Sequence, residues 1–134
     1  MPDIDTTFRV RYAETDQMGV VYYANYFVWM ELGRVEYCRA VGFAYREMEA
    51  QDGVLLAVID AQCRYRRPAR YDDEVTVRTR VNAASRRGVE FGYEMFVGGE
   101  PIAEGFTRHM FLDKEFRPTS LPSKYREMFG VRSA

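Results

Sequence analysis

The sequence predicts an α+β fold in which a five-stranded antiparallel sheet wraps around one long central helix. One run, YYANYFVWMELGRVEYCRAVG over 22–42, is apolar at helical spacing and free of proline. The segments on either side of it alternate apolar and polar residues with a period of two, the mark of half-buried strands. Turn signals at Arg86-Arg87-Gly88 and Gly98-Gly99 join three of those segments into a meander. A sheet with one apolar face and a helix that is apolar nearly all round must be buried against each other.

The first strand is expected over Thr6–Tyr12, where Phe8, Val10 and Tyr12 alternate with Arg9 and Arg11, and it ends near Ala13. The helix follows and stops at Gly42, a residue typical just past a helix end. Its aromatic and aliphatic side chains leave only a narrow polar stripe, so protein should surround most of its circumference. A short helical turn is expected over residues 45–50. The second strand spans 54–69, with Ala57, Ile59, Ala61, Cys63 and Tyr65 on one face and Asp60, Gln62, Arg64 and Arg66 on the other. Pro68, which cannot donate to a ladder, marks its end. Further strands are expected over 74–85, 89–97 and 102–112, and a tail with prolines at 118 and 122 closes on one helical turn.

A length of 134 residues suits a single domain. With 47% apolar and 29% charged residues the chain reads as soluble and globular, neither disordered nor membrane-spanning. A net charge of -1 supplies no field for a polyanion, and no nucleic-acid-binding motif is present, so nucleic acid is not an expected partner. There is no basic stretch followed by an apolar run at the N-terminus, and no segment of bilayer-spanning length, which makes the cytoplasm the expected location. Cys38 and Cys63 stand apart without a CxxC pair and there is one histidine, so neither a metal site nor a disulfide is expected.

The chemistry concentrates in ETDQMGVVYYANY over 14–26, which sets acids at 14 and 16 and a glycine at 19 just ahead of the helix. Free N–H groups in a first helical turn hold an oxygen that becomes negative, and Gly19 permits close backbone approach. A carbonyl bound there would be polarised while Asp16 attacks it or activates water. The competing view is that Asp16 merely caps the helix, a role for which aspartate is favoured.

These residues carry a family resemblance. RVRYAETDQMGVVYYANYFVWMELGRVEYCRAVG over 9–42 resembles the 4-hydroxybenzoyl-CoA thioesterase family, including bacterial relatives associated with the Tol-Pal system. The signature is an Asp, two residues, a Gly and a Val-Tyr-rich helix start, and RRPARYDDEVTVRT over 66–79 continues it. The resemblance implies a hotdog fold, an acyl-CoA thioesterase that needs no cofactor, and a dimer or tetramer with an active site shared between subunits. It implies Asp16 as the catalytic carboxylate, with Gly19 in the signature, and the backbone N–H of Tyr23 as the group polarising the thioester carbonyl. Tyr22 and Tyr26 would line the acyl group. Arg86 and Arg87 would grip the phosphates of coenzyme A, for which the planar guanidinium is suited. Arg64, Arg66, Arg67 and Arg70 offer the same chemistry or answer acids on a second subunit. The Tol-Pal relatives commonly carry His in a Val-Tyr-His-Ala-Asn string, and Tyr23 departs from it.

Glu31 and Arg34, three apart on the helix, are expected to pair or to meet charges from a strand. His109 is expected to be a packed strand residue, and Ser85 and Ser120 have no base beside them. The alternative function is a non-catalytic acyl-CoA-binding module. Neither the acyl group nor the choice between coenzyme A and acyl carrier protein is written in the sequence.

Overall fold

A computed structural model describes residues 2–131. Its five strands are β1 (Ile4–Arg9), β2 (Leu55–Tyr65), β3 (Glu74–Ala84), β4 (Gly88–Val97) and β5 (Glu100–Leu112). They form one antiparallel sheet in the order β1-β3-β4-β5-β2. The helices are α1 (Asn25–Val41), α2 (Tyr45–Asp52) and a single turn, α3 (Ser123–Arg126). The meander and the α+β class follow the sequence expectation. So do the short helix after α1 and the turn in the tail.

The alternating positions build the core. Val75, Val77 and Thr79 of β3 and Val89, Phe91, Tyr93 and Met95 of β4 are buried, and so are Ala103, Thr107, His109 and Phe111 of β5. Against them α1 sets Tyr26, Trp29, Met30, Gly33, Tyr37 and Cys38, a stripe at helical spacing. At Gly33 the helix comes so close to β3 that an added Cβ would lie 2.4 Å from Thr79 Oγ1 and 3.0 Å from Val77 Cγ1.

Four local expectations change. The sheet covers α1 from one side only, and Val28 and Leu32 are 45% and 44% exposed, so the helix is not surrounded. Helical structure begins at Asn25 rather than residue 22, because the turn over Tyr22–Ala24 is closed by bonds three residues apart, from Asn25, Tyr26 and Phe27 to the carbonyls of Tyr22, Tyr23 and Ala24. In β2 the register shifts between Val58 and Asp60, and this bulge turns Ile59 out of the buried face. Strand β1 also ends earlier than expected, at Arg9. The chain leaves the sheet for a 3-10 turn over Tyr12–Glu14, which leaves Tyr12 exposed.

The antiparallel register gives the sheet two distinct ends. At one lie the start of β3, the end of β2 and the segment between β1 and α1, tied together by Val10 N–H to Asp73 O at 2.9 Å and Val21 N–H to Ala69 O at 2.8 Å. At the other lies the β3–β4 turn. The eleven residues of β3 separate them by about 35 Å at the rise of an extended strand.

Candidate active site

Asp16 sits in a tight loop. Thr15 and Val21 bridge across its base, and the Asp16 N–H donates to Val20 O at 2.8 Å. Gly19 turns the chain with φ of 79° and donates its N–H to Asp16 O at 3.0 Å. A Cβ on Gly19 would meet nothing within 4 Å, so glycine is needed here for its backbone angle and not for close approach. The Asp16 Oδ1 accepts the Met18 N–H at 2.9 Å. No other hydrogen bond or ion pair to this half-buried carboxylate exists among the described residues, which leaves Oδ2 free. The cap position of α1 is Ala24, without a side-chain cap, so Asp16 does not serve as the helix cap.

The first turn of α1 is tightly wound. Asn25, Tyr26 and Phe27 donate to the carbonyls of Tyr22, Tyr23 and Ala24, while the N–H groups of Tyr23 and Ala24 have no acceptor among the described residues. Two unused donors thus stand at the positive end of the helix dipole. Glu14 holds this turn in place. Its carbonyl accepts from Tyr22 N–H and from Asn25 Nδ2, each at 2.9 Å. Its buried carboxylate accepts the Trp29 indole N–H and the Arg11 N–H, each at 2.8 Å. Burial opposes ionisation of Glu14. The hydrogen bonds from Arg11 and Trp29, with the Arg11 charge, outweigh it and hold the group below the ordinary glutamate range.

Asp16 and the helix start face one another across a cleft of about 290 Å³. Met18, Val20 and Val21 continue the Asp16 wall, Tyr23 and Tyr26 line the helix side, and Tyr65, Arg66, Arg67 and Pro68 close the end of β2. The lining is chiefly apolar. The Tyr26 hydroxyl accepts the Ala69 N–H at 3.2 Å and its ring meets that of Tyr65 edge-on at 4.9 Å. The Tyr65 hydroxyl donates to Tyr23 O at 2.9 Å. Arg66 and Arg67 pair with Glu104 and Glu100 at the rim. Alternation sets Tyr65 on one face of β2 with Ala57, Ala61 and Cys63, but its contact with the helix start has no local signal.

The structure therefore brings Asp16, Tyr23 and Tyr26 together. Gly19 shapes the loop behind them, and Tyr22 lies outside the cleft with its ring 4.8 Å from that of Tyr23. Arg86 and Arg87 are not in this site: they form the β3–β4 turn at the far end, where Leu121 N–H donates to Arg86 O and Phe111 N–H to Arg87 O. Ser85 caps that same turn, accepting the Arg87 N–H at 3.2 Å. Glu31 and Arg34 form no ion pair among the described residues. Glu31 is exposed, while the Arg34 charge acts on the buried Tyr93 and His109. His109 Nε2 lies 2.7 Å from Thr107 Oγ1, and burial, then the Arg34 charge, pushes the imidazole down to about 3. Burial also pushes the Cys38 thiol up to about 12. Among the described residues no cluster of His, Cys, Asp or Glu is placed to hold a metal ion, and no helix is long and apolar enough to cross a membrane.

Residues 10–129 match the family model described as the thioesterase-like superfamily. A provisionally named acyl-CoA thioesterase, YneP of Bacillus subtilis (strain 168), is 41% identical over 111 residues, covering 81% of this chain and 80% of the relative. The crystal structure of a DHNA-CoA thioesterase from Staphylococcus aureus superposes with a TM-score of 0.93 at 34% identity, over 96% of this chain and 89% of that one. A 4-hydroxybenzoyl-CoA thioesterase structure shares the fold with a TM-score of 0.86 at 19% identity, over 96% of this chain and 99% of that one.

Proposed function

Because the chain belongs to the thioesterase-like superfamily, we propose that it hydrolyses an acyl-CoA thioester to the free acid and coenzyme A at the cleft between Asp16 and Tyr23. The observation that carries this is a carboxylate with one oxygen unused, facing a helix start whose own N–H groups are unused, across an apolar space. In this mechanism the thioester oxygen is held by the Tyr23 N–H, where the helix dipole favours the charge that develops on it. Asp16 either takes a proton from water, so that hydroxide adds to the carbonyl carbon, or adds to that carbon itself. In both routes collapse of the tetrahedral species breaks the C–S bond and coenzyme A leaves as thiolate; in the second route the acyl group is left as an anhydride on Asp16, which water then hydrolyses to the free acid, restoring the carboxylate.

Asp16→Asn tests the assignment, because the amide oxygen still accepts the Met18 N–H and keeps the loop. Thiol release, followed with a thiol-reactive dye across aliphatic and aromatic acyl-CoA esters, should fall by roughly 10²–10⁴ with folding intact. Release within tenfold of the parent enzyme would overturn the role of Asp16. Running the same panel on acyl carrier protein thioesters separates the two carriers.

The coenzyme site needs a second subunit. Arg86 and Arg87 stand at the far end of the sheet from Asp16, so one chain does not offer both ends of the substrate a place. Strand β2 is an edge, paired on one side only, with Val58 and Ile59 exposed. Antiparallel pairing of two β2 edges would make a continuous sheet and set the partner's β3–β4 turn at the Asp16 end. The assembly in this proposal is a dimer of that kind, or a tetramer of two such dimers. Its location, where coenzyme A esters are made and used, is the cytoplasm.

A further inference from the structure

We infer that Tyr65, on the edge strand β2, is a positioning residue for thioester hydrolysis: its hydroxyl polarises the peptide joining Tyr23 to Ala24 and so makes the Ala24 N–H a second donor to the developing oxyanion. This rests on the proposed role of the helix start.

The Tyr65 O–H donates to Tyr23 O at 2.9 Å, and the same oxygen accepts the Tyr26 N–H at 3.3 Å. A carbonyl oxygen has two lone pairs, and both are used here. The N–H of that peptide unit belongs to Ala24, which has no acceptor among the described residues. Drawing electron density to the oxygen leaves this N–H more positive, the cooperative strengthening known for hydrogen-bond chains. The Tyr23 N–H, also unused, belongs to the preceding peptide, so two consecutive N–H groups are available at one helix start. The phenol is a dependable donor. Burial, then the neighbouring Cys63, pushes its ionisation upward, so it stays protonated.

Packing keeps the hydroxyl on target. The Tyr65 ring stands edge-on to Tyr26 at 4.9 Å and to Tyr23 at 6.4 Å, and Tyr26 in turn packs on Trp29 at 4.8 Å. This is the link by which the edge strand reaches the catalytic turn.

Tyr65→Phe keeps the ring contacts and removes the hydroxyl. Thermal unfolding should stay close to that of the parent, while kcat falls about tenfold and KM changes by less than about twofold, the pattern of a contact made in the transition state. A loss of a direct donor would be larger, roughly 10²–10³. The second readout is the carbonyl stretch of a carbon-13-labelled thioester bound to Asp16→Asn, recorded by infrared difference spectroscopy. Adding Tyr65→Phe should move that band back toward its position in water, and a more acidic fluorotyrosine at 65 should move it the other way. An unmoved band, or a raised KM with unchanged kcat, would overturn the role of Tyr65 while leaving Asp16 untouched. Undiminished turnover in Asp16→Asn alone would overturn both.

Discussion

Glu14 and Asp16 are carboxylates two positions apart whose surroundings give them opposite employment. Glu14 is buried and fully answered by Arg11 and Trp29, whereas Asp16 spends one oxygen on its own turn and keeps the other. His109 offers a test at the same scale. Its folded-state value is pushed down to about 3, far below the unfolded value near 6.5, so the unfolded chain takes up a proton that the folded chain refuses. The stability this supplies is present above pH 6.5 and lost as pH falls toward 3, by up to about 1.4 kcal/mol per pH unit. Glu14, held low, weakens folding in the same acid direction. Urea unfolding at pH 7 and pH 4.5 should therefore show a stability drop that His109→Gln reduces; an equal drop in both proteins would exclude the histidine as its source.

Helix α1 meets β3 at Gly33, where even a methyl group has no room against Thr79 and Val77. Gly33→Ala should cost about 1–3 kcal/mol, read as a lowered urea midpoint, because helix and strand must separate. An unchanged midpoint would mean that the Thr79 side chain simply rotates away. The strands were legible because alternation is local: Val75, Val77, Phe91, Tyr93 and Met95 announce their face in any window of five residues. The bulge that turns Ile59 outward was not, since it arises from the register with β5. Nor was the true start of α1, because apolar spacing over residues 22–24 does not tell a tight turn with bonds three residues apart from the α-helix that follows it. In the site, the pattern around Asp16, Gly19 and Tyr23 pointed to a loop that lines an apolar cleft. The contact of Tyr65 with Tyr23 has no such signal, because the partners lie forty-two positions apart and no periodicity encodes such a contact.

At the scale of the whole molecule, the proposed dimer turns on the β2 edge. An eleven-residue edge with exposed Val58 and Ile59 invites pairing, and charge placed there opposes it. Ile59→Lys should shift the protein toward monomer in light scattering and lower kcat/KM for coenzyme A esters by more than tenfold, with a smaller effect on esters that lack the nucleotide. A fully active monomer would exclude a shared site.

The separation of Asp16 from the Arg86–Arg87 turn by the length of β3 has a consequence for inheritance. In the proposed dimer, a chain without Asp16 still lends its arginines, and a chain without the arginines still lends its Asp16. Two defective alleles would thus restore one working site in each mixed pair, and a cell that makes both would recover part of the activity that neither supplies alone.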